Sequence, residues 1–129
     1  MILDDHFNFI QTQVLTETGD SFKGVMGLGN TASPDLWLKD GIYSMWNSPD
    51  PVQPADGEMP GKNSHGTYPF YMGRQAQDSW FGVYTNLAAA QDWEIKNDKV
   101  KGSVNIKISA AGGVGDILLM SASTPEKIT

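Results

Sequence analysis

Short apolar runs rich in β-branched and aromatic residues alternate along this chain with clusters of Gly, Asn, Asp and Pro. Antiparallel sheets are patterned this way, because strands are short and each must turn back within a few residues. Strands are expected over residues 7–15, 22–28, 41–46, 68–73, 80–84, 91–96, 103–109 and 116–121, with helix nearly absent. The clearest is Ser103-Val104-Asn105-Ile106-Lys107-Ile108, whose strict alternation suits one wet and one dry face. Ala110-Ala111-Gly112-Gly113 then breaks the alternation and permits positive φ. Ile117-Leu118-Leu119-Met120 is therefore expected to return beside that strand as a more buried one. The fold class that follows is all-β, an antiparallel β-sandwich.

Between Asn47 and Gly66 the chain is dense in Pro, Asp, Gly and Asn. That stretch is too long for a hairpin turn, and loops of such length commonly carry function. At the other extreme, Thr124-Pro125-Glu126 has the order of a helix start, with an N-cap Thr, Pro at the first helical position and an acid in the first turn. The chain stops before that helix could form, so it is expected to derive from something longer.

Length and charge narrow the classes. With 129 residues, 1–129 is expected to be a single domain around one core. The net charge of −6 and the lack of any Lys/Arg cluster argue against nucleic acid and anionic membranes as partners. No apolar run is long enough to span a bilayer, and Met1-Ile2-Leu3-Asp4-Asp5 does not read as a signal peptide. Cysteine is absent, which removes disulfides and thiolate chemistry and leaves the compartment open.

Candidate chemistry is sparse. Asp4, Asp5, His6 and the distant His65 are metal-ligating types, yet no pair has the spacing of a ligand helix, and solvated charges are the favoured reading. Gly24, Gly27 and Gly29 superficially suit a phosphate loop, but no helix follows to receive the anion. Asp50, Asp56 and Glu58 share one loop, whereas glycosidic cleavage needs two carboxyls held about 5–10 Å apart across the scissile bond. Neither a metal, a cofactor nor a self-contained catalytic pair is expected. Trp37, Tyr43, Trp46, Tyr68, Tyr71, Trp80 and Trp93 suit either a sandwich core or stacking on sugar, with one or two of them facing a ligand at most.

Several segments, taken in order, resemble the N-terminal domain of glycoside hydrolase family 31, the α-glucosidase family. Gly27-Leu28-Gly29-Asn30 is similar to that family's G-L-G-E, and Tyr43-Ser44-Met45-Trp46-Asn47-Ser48-Pro49-Asp50-Pro51 to Y-x-x-W-N-x-D-x-P with one residue inserted before the Asp. Asn63-Ser64-His65-Gly66-Thr67-Tyr68-Pro69-Phe70-Tyr71-Met72 resembles N-L-Y-G-S-H-P-F-Y-L with His and Tyr exchanged. Gly112-Gly113-Val114-Gly115-Asp116 through Thr124-Pro125-Glu126 is similar to G-G-x-x-D-x-Y-x-x-x-G-x-T-P-E without a gap. Residues 82–92 stand where the family has G-V-F-L-L-N-S-N-A-M-D, with its two asparagines replaced or displaced.

The resemblance implies a galactose-mutarotase-like β-sandwich, incomplete relative to the family domain, whose earliest strands precede the point where this chain begins. It implies an accessory module that contributes a substrate-contacting loop and packs on a catalytic barrel in the same parent chain or a partner, with α-glucoside as the ligand. Asp50 would contact the sugar, while Trp46, Phe70 and Tyr71 would form an apolar face toward the barrel or a stacking surface for sugar. No segment resembles the motifs that hold the family's catalytic carboxylates, so the chain alone is expected to be inactive. The alternative is a detached, non-enzymatic structural or interaction subunit. Missing strands leave open edges, and self-association is expected on that ground.

Overall fold

A computed structural model describes residues 2–3 and 8–15 as backbone, and residues 24–29, 35–45, 66–76, 78–113 and 115–128 more fully. Nine strands follow one another: β1 (Ile2–Leu3), β2 (Asn8–Leu15), β3 (Val25–Gly27), β4 (Gly41–Met45), β5 (Phe70–Ala76), β6 (Ser79–Asn86), β7 (Gln91–Asp98), β8 (Ser103–Ala110) and β9 (Asp116–Ala122). They form two sheets, a five-stranded one in the order β1-β2-β8-β7-β4 and a four-stranded one in the order β3-β5-β6-β9. Every pairing is antiparallel. The all-β antiparallel sandwich expected from the apolar pattern is what the chain forms.

The core lies between the sheets. Tyr43 and Met45 of β4, Trp93 and Ile95 of β7, and Val104, Ile106 and Ile108 of β8 meet Val25 of β3, Tyr71 of β5 and Val83 of β6, all buried. In β4 and β7 the buried residues recur at every second position, as the pleat requires, and Val104, Ile106 and Ile108 do so in β8. The Tyr71 ring sits edge-on to Trp93 at 5.7 Å and to Phe81 at 6.4 Å.

Two local expectations are corrected. β9 does not return beside β8; it crosses to the other sheet and pairs with β6 along its whole length, from Asn86↔Asp116 to Trp80↔Ala122. Nor is it buried, since Ile117, Leu118 and Leu119 are all exposed. Gly112 and Gly113, at φ 130° and 99°, carry the chain around the sandwich end, so the segment read as a hairpin turn is a crossover between sheets. The helix start at Thr124 yields one 3-10 turn, Pro125–Lys127, in which Thr124 makes no side-chain cap. Ile128 after it is buried on the outer face of the four-stranded sheet.

Candidate functional site

Antiparallel pairing brings a particular set of chain segments to one end of the sandwich. Met45 at the end of β4 pairs with Gln91 at the start of β7, which pairs with Ala110 at the end of β8. In the other sheet Gly27 pairs with Tyr71, Phe70 with Tyr84, and Asn86 with Asp116. Residues 27–29, 45, 66–70, 86–91, 111–113 and 115–116 are thereby neighbours. Each belongs to, or adjoins, a segment similar to the glycosidase motifs.

The glycine-rich corner is built by close backbone approach. Gly27, Leu28 and Gly29 all have positive φ, at 130°, 61° and 83°. A Cβ on Gly27 would stand 2.4 Å from the Phe70 carbonyl oxygen, and one on Gly29 would stand 2.9 Å from that of Gly66. Leu28 is fully buried and its N–H donates to the Phe70 carbonyl at 2.8 Å. A non-glycine residue in this conformation is strained, and such strain persists only where the surroundings hold it. Here the buried side chain and the hydrogen bond hold it.

Beneath the end lies a buried polar network. Trp93 Nε1 donates to Gln91 Oε1 at 3.1 Å, and Gln91 Nε2 donates to the Leu87 carbonyl at 2.9 Å. Thr85 Oγ1 lies 3.5 Å from Gln91 Oε1 and 3.3 Å from the Pro69 carbonyl, which also accepts the Thr85 N–H at 3.0 Å. These bonds tie the 66–70 segment to the turn between β6 and β7. Thr85 and Gln91, overlooked as functional in the sequence, stand in the segment where the family's asparagines are replaced. The signal that could have found them is the two-residue period, which places Gln91 on the same dry face as Trp93 and Ile95.

Above the network is a cleft of about 340 Å³ lined by Met45, Thr67, Pro69 and residues 87–91. Tyr68, 65% exposed, stands beside it, its ring against Gly66 and Gly29. Of the aromatic residues proposed for core or sugar, Tyr43, Tyr71 and Trp93 are buried, Trp37 and Trp80 half-buried, and Tyr68 exposed. Tyr71 is a core residue, and the apolar face expected of it toward a barrel or sugar is corrected accordingly: its inward position in β5 sets it between Trp93 and Phe81. Phe70 is half-buried, its ring covering Gly82 together with Ile128. Asp50 and Trp46 lie outside the described residues, as do Asp4, Asp5, His6, His65, Asp56 and Glu58.

Several of the described carboxylates serve local structure. Asp92 accepts from Ser44 Oγ at 2.6 Å, and Glu94 pairs with Lys96 at 2.7 Å. Asp40 accepts from the Asn97 N–H at 2.8 Å and from its Nδ2 at 2.9 Å, and these bonds hold its carboxyl below the usual range. Asp98 receives the backbone N–H groups of Val100 and Lys101 in the β7–β8 turn. Among the described residues no three His, Asp or Glu are grouped to hold a metal, and no helix is long and apolar enough to cross a membrane. A larger cleft of about 1230 Å³ opens at the opposite end, lined by Trp37, Asp40, Ile42, Asn97 and Val100 among others. None of its lining residues belongs to the glycosidase-like segments.

Comparison with models of known families and with curated proteins finds no match to this chain.

Proposed function

We propose that this chain is an accessory β-sandwich of the galactose-mutarotase-like type, serving an α-glucosidase-type glycoside hydrolase and acting beside a catalytic barrel rather than alone. The observation that carries the reading is the convergence at one end of the sandwich. The segments similar to G-L-G-E, Y-x-x-W-N, S-H-P-F-Y and G-G-x-x-D are far apart in sequence, yet they meet there. The resemblance gives Asp50, which follows the segment similar to Y-x-x-W-N, the role of sugar contact. Tyr68 supplies the aromatic face that stacks on sugar C–H groups.

The test is hydrolysis of nitrophenyl α-glucoside and maltose by the chain alone and with the barrel encoded in its source. The chain alone is expected to give no turnover, for want of a supported acid and nucleophile. With the barrel, activity is expected that Asp50→Ala lowers about 100-fold in kcat/KM through lost positioning. Tyr68→Ala is expected to raise KM about five- to tenfold through lost stacking. Turnover by the chain alone, or barrel activity indifferent to both substitutions, overturns the reading. A detached interaction subunit is the second reading, favoured by the exposed apolar strand β9.

A further inference from the structure

The four-stranded sheet ends on β9, and that edge is unlike the others. Among the described residues four strands form sheet edges: β1 with two residues, β3 with three, β4 with five and β9 with seven. Natural edges are shortened, charged, bulged or interrupted by proline to prevent pairing with another chain. β9 has only one of these, the charge of Asp116 at its first residue. It pairs with β6 without a break over seven residues, and from Ile117 to Ser123 it carries no charge and no proline. Leu119 lies opposite Val83 on the inward face, yet it is 74% exposed where Val83 is 3% exposed. Leu118 and Tyr84, paired on the outward face, are exposed as well. Among the described residues Ile117, Leu118 and Leu119 of this strand are left exposed, while Met120 and Ala122 are half-buried.

We infer that β9 is the interface through which two copies of this chain pair, edge to edge and antiparallel about Leu119, into one eight-stranded sheet. The strand's own pattern selects the occupant. The chain carries a net charge of −6, so two copies repel over most approaches, and β9 is the longest described edge, with its one charge, Asp116, at the end of the strand. Centred on Leu119, the strand is its own complement: Leu119 faces Leu119, Leu118 faces Met120 on both sides of the axis, and Ile117 faces Ser121. Opposed residues share a face, so the two Leu119 side chains cover each other on the inward side and the Leu118–Met120 pairs do so on the outward side. The two Asp116 carboxylates stand about 20 Å apart at the rise of a strand, beyond a Debye length of about 8 Å. The contact is isologous and closes as a dimer, which leaves no further β9 edge to extend. Its area is at the small end for specific association, so the dimer is a micromolar one. The inference does not rest on the glycosidase reading.

A chain without cysteine offers a direct test. In the proposed register the Cα atoms of opposed Leu119 residues are about 4.5–5.5 Å apart, within disulfide reach, while those of the two Ile117 residues are about 14 Å apart and beyond it. Under mild oxidation Leu119→Cys is expected to form a covalent dimer at least about tenfold faster than Ile117→Cys or Ile42→Cys, the last placed on the β4 edge. Sedimentation of the unmodified chain from about 10 to about 500 µM is expected to show a growing dimer, and Leu119→Lys, folded by circular dichroism, to stay monomeric. Equal cross-linking of the three cysteine variants, or a folded wild-type monomer at the highest concentration, overturns the inference. If that monomer gains hydrolase activity from a barrel and Leu119→Lys abolishes the gain, β9 belongs to a different chain and self-pairing is wrong.

Discussion

Trp93 and Gln91, two residues apart on β7, are joined by a hydrogen bond from the indole Nε1 to the amide Oε1 at 3.1 Å inside the sandwich. A strand sends alternate residues to the same face, so this pair is adjacent by the pleat alone. The same amide reaches the Leu87 carbonyl and lies near Thr85, and it thereby couples the core to the turn that lines the small cleft.

Gln91→Leu is expected to lower stability by about 1–3 kcal/mol, because it strands the buried indole N–H and the Leu87 carbonyl. Thr85→Val is expected to cost less, since the Thr85 N–H to Pro69 bond survives. Urea unfolding followed by tryptophan fluorescence measures both. Equal, negligible losses would show that the network does not brace this end.

Gly27 and Gly112 share a φ of 130° but not their surroundings. Alanine at Gly27 would place its Cβ 2.4 Å from a backbone oxygen, whereas no atom lies within 4 Å of one at Gly112. Gly112→Ala is therefore expected to carry only the conformational cost, about 1–2 kcal/mol, and Gly27→Ala to exceed about 3 kcal/mol or prevent folding. Thermal melts of the two variants distinguish them.

Tyr71 is buried with no partner for its hydroxyl, and burial pushes the phenol well above its ordinary value of 10.0. The fold thus favours the neutral phenol. Its contribution is complete below the ordinary phenol pKa and is lost as pH rises from about 10 toward the raised value. Tyr71→Phe is expected to leave stability at neutral pH unchanged or higher by up to about 1 kcal/mol, since it removes an unpaired polar group. Above about pH 10 it is expected to flatten the alkaline loss. Tyr43, also raised by burial, retains its part of that loss, its hydroxyl being bonded to the Lys39 backbone. Superimposable alkaline limbs for wild type and variant would contradict this.

Ile128 and Phe70 cover Gly82 from outside the four-stranded sheet. Ile128→Ala is expected to cost about 2 kcal/mol through the cavity it leaves, and Phe70→Asp to cost at least as much by setting a charge against that apolar cover. Chemical denaturation reads both. A folded Phe70→Asp variant of wild-type stability would return Phe70 to the role of an interface residue.

The two-residue alternation in residues 103–108 and the Gly, Asn, Asp and Pro punctuation determined the strands, the sandwich class and the inward faces, because those depend on short-range periodicity and on the dislike of polar side chains for a dry core. The lack of cysteine was equally plain. Pairing partners were decided only in three dimensions. The run Ile117-Leu118-Leu119-Met120 reads as a buried strand, yet its burial depends on whether the opposite sheet reaches over it, and sequence carries no term for that. The same holds for Tyr71, whose place between Trp93 and Phe81 arises from residues more than twenty positions apart along β5 and β7. Local pattern fixes which face of a strand is dry; the crossover at residues 110–116 fixes which sheet receives it, and the extent of the facing sheet fixes whether a dry face is covered.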